Sequence, residues 1–135
     1  MTAKEVVKSF YNADLANDAS IVQRFFHKDC ELHWNSSRGF TILNYDDIVD
    51  FFVGTRDAYN SLRFQFSHIL VDGNFVTTRH SLYAITIEQP EDEELLAHFT
   101  SIWEVKDHKL YRCYEISQLA DEKTISSNSF KEIKV

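Results

Sequence analysis

The fold is decided by the last long strand, which reads Lys109-Leu110-Tyr111-Arg112-Cys113-Tyr114-Glu115-Ile116-Ser117-Gln118. Its β-branched and aromatic residues follow a short turn, a composition typical of a strand. The same strand-like composition extends back along the chain to Leu62, whereas mainly helical patterns precede Leu62. The chain therefore predicts an α+β fold, with helices packed on one face of an antiparallel or mixed sheet.

Three helices are predicted in the N-terminal half. Thr2-Ala3-Lys4-Glu5 has the Thr-x-x-Glu pattern of a capping box, and the apolar residues after it predict a helix over residues 3–16. A short second helix is predicted over residues 21–26, and Asn44 is placed to cap a third. Between these two helices, residues 30–34 predict a strand that is followed by a polar, turn-rich loop.

Two long antiparallel hairpins are predicted in the C-terminal half. The first turns at Asp72-Gly73-Asn74 and the second at Asp107-His108. The predicted strands are 62–71 and 75–88, then 95–106 and 109–119. We expect one domain over residues 1–120 and a polar C-terminal tail over residues 121–135.

Composition and charge exclude several function classes. The 135 residues are 44% hydrophobic, enough for one domain with a real core, and the formal charge of −7 disfavours nucleic acids and anionic membranes as partners. No apolar stretch is long enough to span a bilayer and the N-terminus lacks a secretion signal, so a cytoplasmic protein is expected. Cys30 and Cys113 lie in predicted strands without metal-binding spacing, which favours buried thiols.

The order of helix, helix, strand, helix and two hairpins resembles a family of cone-shaped proteins. This family includes nuclear transport factor 2, ketosteroid isomerase, scytalone dehydratase, limonene epoxide hydrolase and the SnoaL-like polyketide cyclases. The resemblance covers about residues 3–119 and rests on Lys109-Leu110 after a turn, on Glu115-Ile116-Ser117-Gln118, and on Asp72-Gly73-Asn74-Phe75-Val76. It implies a strongly curved sheet wrapped around three N-terminal helices, a pocket between them, and often a homodimer through the outer sheet face. It implies no single activity.

Strand alternation indicates which side chains share a face of the cone. With two-residue turns at Asp72-Gly73 and Asp107-His108, Arg79 falls on the pocket face of the first hairpin, and Glu115 pairs with Thr100 on the pocket face of the second. The residues predicted to line the pocket are Phe10, Trp34, Phe64, Phe66, His68, Thr100 and Ile102. A one-residue change in either hairpin would reverse these faces.

The candidate catalytic residues are Glu115, His98 and Arg79. A buried, unpaired charge costs roughly several kcal/mol, so Arg79 and Glu115 are expected to meet each other or a polar ligand. Both a structural ion pair and a ligand site remain open. The resemblance to limonene epoxide hydrolase implies an arginine between two acids, but Ser81 stands where Arg-x-Asp needs its aspartate. A hydroxyl cannot serve as that base at neutral pH.

Other branches of the family suggest other roles. Scytalone dehydratase implies a histidine and an acid as acid–base partners, for which His98 and Glu115 are the nearest analogue. Ketosteroid isomerase implies a tyrosine and an aspartate where Phe10 and Trp34 stand, so these two look like apolar walls with one indole N–H available. No cofactor is expected, and no metal, because only His68 and His98 face inward by this register.

The outer face of the second hairpin is predicted to be apolar, which favours a homodimer. The residues assigned to it are Phe99, Trp103, Tyr114 and Ile116. The predicted function is a homodimeric SnoaL-like protein that binds a small, mainly apolar or aromatic ligand. Its enzyme version would be cofactor-free acid–base chemistry, meaning dehydration, isomerisation or cyclisation. The alternative is a non-catalytic dimeric protein-interaction module of the nuclear transport factor 2 type.

Overall fold

A computed structural model describes residues 1–120, which form three helices and one six-stranded sheet. In chain order the elements are α1 (Ala3–Asn12), α2 (Ile21–Phe25), β1 (Phe26–Ser36), β2 (Gly39–Asn44), α3 (Tyr45–Ala58), β3 (Tyr59–Asp72), β4 (Phe75–Thr86), β5 (Glu93–Lys106) and β6 (Lys109–Leu119). The predicted tail lies outside the described residues.

The sheet is mixed and has the strand order β2-β1-β6-β5-β4-β3. β1 and β6 run parallel, and the other neighbours are antiparallel. The sheet curls without closing, and the three helices pack against its inner face to form the core. This arrangement confirms the predicted α+β cone.

Capping residues fix the starts of α1 and α3. The Thr2 hydroxyl accepts a hydrogen bond from the Glu5 backbone N–H at 3.2 Å, and Asn44 Oδ1 accepts one from the Asp47 N–H at 2.9 Å. In both boxes the acidic side chain accepts from the N–H of the capping residue in return. Helix α1 ends four residues earlier than predicted, because Ala13 adopts an extended conformation.

The predicted polar loop after residue 34 is instead a β-hairpin. β1 continues to Ser36, Ser37 and Arg38 make a two-residue turn, and β2 was not predicted at all. Gly39 closes the turn with φ +111°, a conformation that residues with a side chain rarely adopt. The short, mostly exposed β2 has no clear alternation of buried and exposed positions, which explains why the sequence pattern missed it.

The first long hairpin contains a bulge that the sequence analysis missed. The two-residue turn of this hairpin is Gly73-Asn74, one residue later than the predicted Asp72-Gly73, and the pairing is regular from there to His68 and Arg79. Ser67 is then an extra residue in β3, so that Phe66 pairs with His80. The buried Ser67 hydroxyl donates to the Arg79 carbonyl at 3.1 Å and holds the bulge in place.

The second long hairpin has the predicted turn and a second bulge. Asp107 and His108 have φ values of 54° and 61°, as expected for the type I′ turn of a two-residue hairpin, which requires a positive φ at both central residues. The register shifts between Glu104 and Val105, where Tyr111 is the extra residue in β6. Beyond it, Glu115 pairs with Ser101 rather than with Thr100.

The two bulges correct the predicted sheet faces. Each extra residue turns the remainder of its strand over relative to its partner. The residues that consequently lie on the outer face, and not in the cone, are His68, Arg79, His98, Thr100 and Ile102. Conversely, Phe99 and Trp103 point inward, while Tyr114 and Ile116 lie on the outer face as predicted.

Two further predictions can be compared with the described residues. Cys30 and Cys113 are free and buried, which confirms their interpretation as core thiols. Among residues 1–120, no helix is long and apolar enough to cross a lipid bilayer.

Candidate functional site

A cavity of about 340 Å³ lies between the helices and the inner face of the sheet. This volume falls at the small end of the range for small-molecule sites. Most of its wall is aromatic or aliphatic, and the wall includes Phe10, Trp34, Phe51, Phe64, Leu82 and Phe99. Phe10, Trp34 and Phe64 thus stand where the sequence analysis expected them, whereas Phe66 packs behind the wall against Tyr11 and His80.

A polar row crosses this mostly apolar inner face. Thr78 on β4, Ser101 on β5 and Glu115 on β6 are direct neighbours across the three strands. Thr78 and Ser101 are completely buried, and the half-buried Glu115 lines the cavity. The Ser101 hydroxyl donates to Glu115 Oε1 at 2.7 Å, which leaves Oε2 without a partner among the described residues.

The environment of Glu115 changes its acidity. Burial raises the pKa of Glu115 to about 7, although the hydrogen bond from Ser101 favours the charged form. Near neutral pH the carboxyl group therefore exists in both protonation states. A group with this property can take up and return a proton, as acid–base catalysis requires.

Tyr11 adds a second polar group to the cavity wall. Trp103 Nε1 donates to the Tyr11 hydroxyl oxygen at 2.9 Å, and the buried Thr78 hydroxyl is a second hydrogen-bonding neighbour of this phenol. The phenol remains a donor through its own hydrogen. Burial, with the nearby Glu115 as a smaller cause, raises the pKa of Tyr11, so it stays protonated. Tyr11 was not among the residues predicted to line the pocket, although it lies four residues after Val7 and thus on the same helical face.

The indole of Trp34 is occupied within the chain. Trp34 Nε1 donates to the Ser117 hydroxyl at 2.8 Å, and the ring packs edge-on against Phe51 with a centroid distance of 5.9 Å. The expectation of an available indole N–H is therefore wrong in this structure. Trp34 remains a wall of the cavity.

Two of the three predicted catalytic residues lie on the other side of the sheet. Arg79 is an outer-face residue that donates to the Ser67 hydroxyl at 3.0 Å, and His98 Nδ1 shares a hydrogen bond of 2.8 Å with Ser81. Because Glu115 points inward, the predicted pairs of Glu115 with Arg79 and with His98 are wrong. The physical reason is the face reversal by the bulges.

The histidine that faces the cone is His80. Its ring stacks on Phe99 with a centroid distance of 5.2 Å and an interplanar angle of 9°. Burial lowers the pKa of His80 to about 3, so the imidazole is neutral. Its Nδ1 is buried and has no hydrogen-bond partner among residues 1–120.

The described residues contain no metal-binding cluster. Among residues 1–120, no three His, Cys, Asp or Glu side chains are grouped as metal ligands would be. His68 and His98, which were expected to face inward, both lie on the outer face.

The chain matches the family model described as a SnoaL-like domain over residues 7–113. None of the curated proteins compared with the chain matches it. Several solved structures share the fold at low sequence identity. IdmH, a proposed polyketide cyclase from Streptomyces antibioticus, is 13% identical with a TM-score of 0.69, over 87% of this chain and 92% of its own.

Two other similar structures represent different branches of the fold. An LEH-like epoxide hydrolase from M. tuberculosis is 16% identical with a TM-score of 0.65, covering 87% of this chain and 82% of its own. A protein of ketosteroid isomerase-like fold from Catenulispora acidiphila, solved with trimethylamine, is 11% identical with a TM-score of 0.64. The alignment covers 82% of this chain and 83% of that protein. At these identities the likeness concerns the fold alone.

Proposed function

Because the chain belongs to the SnoaL-like domain family, we propose that it binds a small, mainly apolar or aromatic ligand in its cone cavity and performs cofactor-free acid–base chemistry on it. The reaction class is dehydration, isomerisation or cyclisation, each of which moves a proton without an external oxidant. Glu115 is the acid–base group of this proposal.

The observation that carries the proposal is the position of Glu115. It is a carboxyl group on an apolar cavity wall, held through one oxygen by Ser101 and with a pKa of about 7. Burying a carboxyl group in an apolar wall costs free energy, and carboxyl groups with a pKa raised in this way are concentrated at functional sites.

The chemistry follows from two polar groups of the wall, Glu115 and Tyr11. The ionised Glu115 carboxylate would take a proton from a carbon next to a ligand carbonyl, and the C–H electron pair would move onto the carbonyl oxygen. The Tyr11 hydroxyl is a neutral donor that can stabilise this oxygen. The protonated Glu115 would then return the proton to another carbon, or to a departing hydroxyl as water forms.

Arg79 and His98 have no place in this proposal. Their side chains lie on the outer face, so they cannot touch a ligand in the cavity. A cytoplasmic location stays a prediction from the sequence.

The outer face supports a homodimer as the second part of the proposal. Among residues 1–120, seven large apolar side chains on this face are between 42% and 66% exposed: Phe40, Ile42, Leu70, Phe75, Ile102, Tyr114 and Ile116. A sheet face with so much exposed apolar surface is typical of a protein interface. The same observation favours the alternative function, a non-catalytic dimeric interaction module of the nuclear transport factor 2 type.

A ligand screen by thermal shift separates the two functions. The probes are a steroid ketone, a terpene epoxide and an aromatic polyketide, tested against wild type, Glu115→Gln and the outer-face control Glu104→Gln. The proposal predicts that at least one probe stabilises wild type and the control, and that Glu115→Gln changes this stabilisation. No stabilisation by any probe would refute ligand chemistry and leave the interaction module.

A further inference from the structure

The polar groups of the cavity wall differ in whether the chain already satisfies them. The indole N–H of Trp34 donates a hydrogen bond to Ser117, and that of Trp103 donates one to Tyr11, so both indole donors already have an acceptor. The Thr55 hydroxyl donates to the Phe51 carbonyl at 3.1 Å within α3. These groups need nothing from a ligand.

At the cavity mouth, the charged group of Arg38 is not satisfied by the described residues. It lines the cavity from the β1–β2 turn, next to Ser36 and Ser37. Its backbone N–H donates to the Ser36 hydroxyl at 3.2 Å, but within residues 1–120 its guanidinium forms no hydrogen bond or ion pair. Among the described residues that line the cavity, it is the only cation, and Glu115 the only carboxylate.

The hairpin fixes the backbone position of Arg38. Ser36 pairs with Gly39, so the turn between them consists of Ser37 and Arg38 alone. The positive φ of Gly39 closes this tight turn. The guanidinium is therefore attached to a short hairpin at the rim, whereas Glu115 lies on the inner face of β6.

From this arrangement we propose that the ligand is a monocarboxylic acid whose apolar body fills the cavity and whose carboxylate is bound by Arg38 at the mouth. This inference rests on the proposed function and names its ligand class. A planar guanidinium matches a carboxylate through two parallel hydrogen bonds, and one cation matches one negative charge. The net charge of −7 repels anions in general, so the local cation is what would admit this one.

The test compares a matched pair of ligands by isothermal titration calorimetry. The probes are 2-naphthoate and its neutral analogue 2-naphthamide, which share size and shape. The proteins are wild type, Arg38→Gln, and Arg56→Gln as a control. Arg56 lies on α3 outside the cavity wall and, like Arg38, has no hydrogen-bond or ion-pair partner within residues 1–120.

The expected result is that wild type and Arg56→Gln bind 2-naphthoate about tenfold more tightly than 2-naphthamide, as one charge-assisted interaction provides. Arg38→Gln should lose this preference and keep its affinity for the amide. Equal binding of both probes by wild type would overturn the role of Arg38 while leaving the cavity function intact. Failure of wild type to bind either probe would overturn both.

Discussion

Glu115 and Ser101 face each other across β6 and β5, and their hydrogen bond orients the carboxyl group and partly offsets the rise in its pKa that burial causes. Ser101 favours the charged form, so Ser101→Ala should raise the pKa of Glu115 by about one to two units. The change is measurable from the Glu115 carboxyl carbon in an NMR titration. Ser117→Ala, which removes a hydroxyl bonded to Trp34 instead, should leave that pKa near its wild-type value.

His80 makes the protein sensitive to acid. Its folded-state pKa of about 3 lies below the ordinary value of 6.5, so the unfolded chain binds its proton first as the pH falls. The free energy of unfolding should therefore decrease between pH 6.5 and about 3, by at most about 1.4 kcal/mol per pH unit from this group. Urea unfolding at pH 7.5 and 4.5 measures the loss.

The variant His80→Phe isolates this contribution. Phenylalanine keeps an aromatic ring against Phe99 and removes the unpartnered Nδ1, so the variant should be no less stable at pH 7.5. It should also lose less stability than wild type on acidification. An identical loss in both proteins would show that His80 does not titrate as described.

At the scale of elements, the sequence predicted most helices and strands but not the sheet faces. Capping boxes and apolar spacing identified α1 and α3, and turn residues identified both long hairpins. The bulges at Ser67 and Tyr111 carry no strong sequence signal, because each is one ordinary residue whose effect is seen only in the pairing. Each bulge reversed a face, which is why Glu115 was placed correctly but was paired with the wrong neighbours.

The two glycines Gly39 and Gly54 should respond in opposite directions to substitution by alanine. Gly39→Ala places a side chain at φ +111° and should lower the free energy of unfolding by about 1–3 kcal/mol. Gly54 lies within α3 with open space around its Cα, so Gly54→Ala should raise it by about 0.5–1 kcal/mol. Urea unfolding measures both, and a neutral Gly39→Ala would contradict the tight β1–β2 turn.

At the scale of the whole molecule, the sheet separates two functions by face. The inner face holds the cavity, whereas the outer face carries exposed apolar side chains. If the outer face is the dimer interface, Ile116→Lys should convert a dimer into a monomer in sedimentation velocity, because the dimer would have to bury the lysine charge in its interface. Val53→Lys, an exposed apolar position on α3, should leave the dimer intact. A dimer unaffected by Ile116→Lys would place the interface elsewhere.

The central claim is that Glu115 is an acid–base group open to a ligand in the cone cavity. The most direct measurement is an NMR titration of the Glu115 carboxyl carbon, with and without saturating 2-naphthamide. We expect a midpoint near pH 7 in the free protein, and a change in that midpoint when the ligand is bound. A midpoint near the ordinary 4.5 that does not respond to the ligand would contradict it.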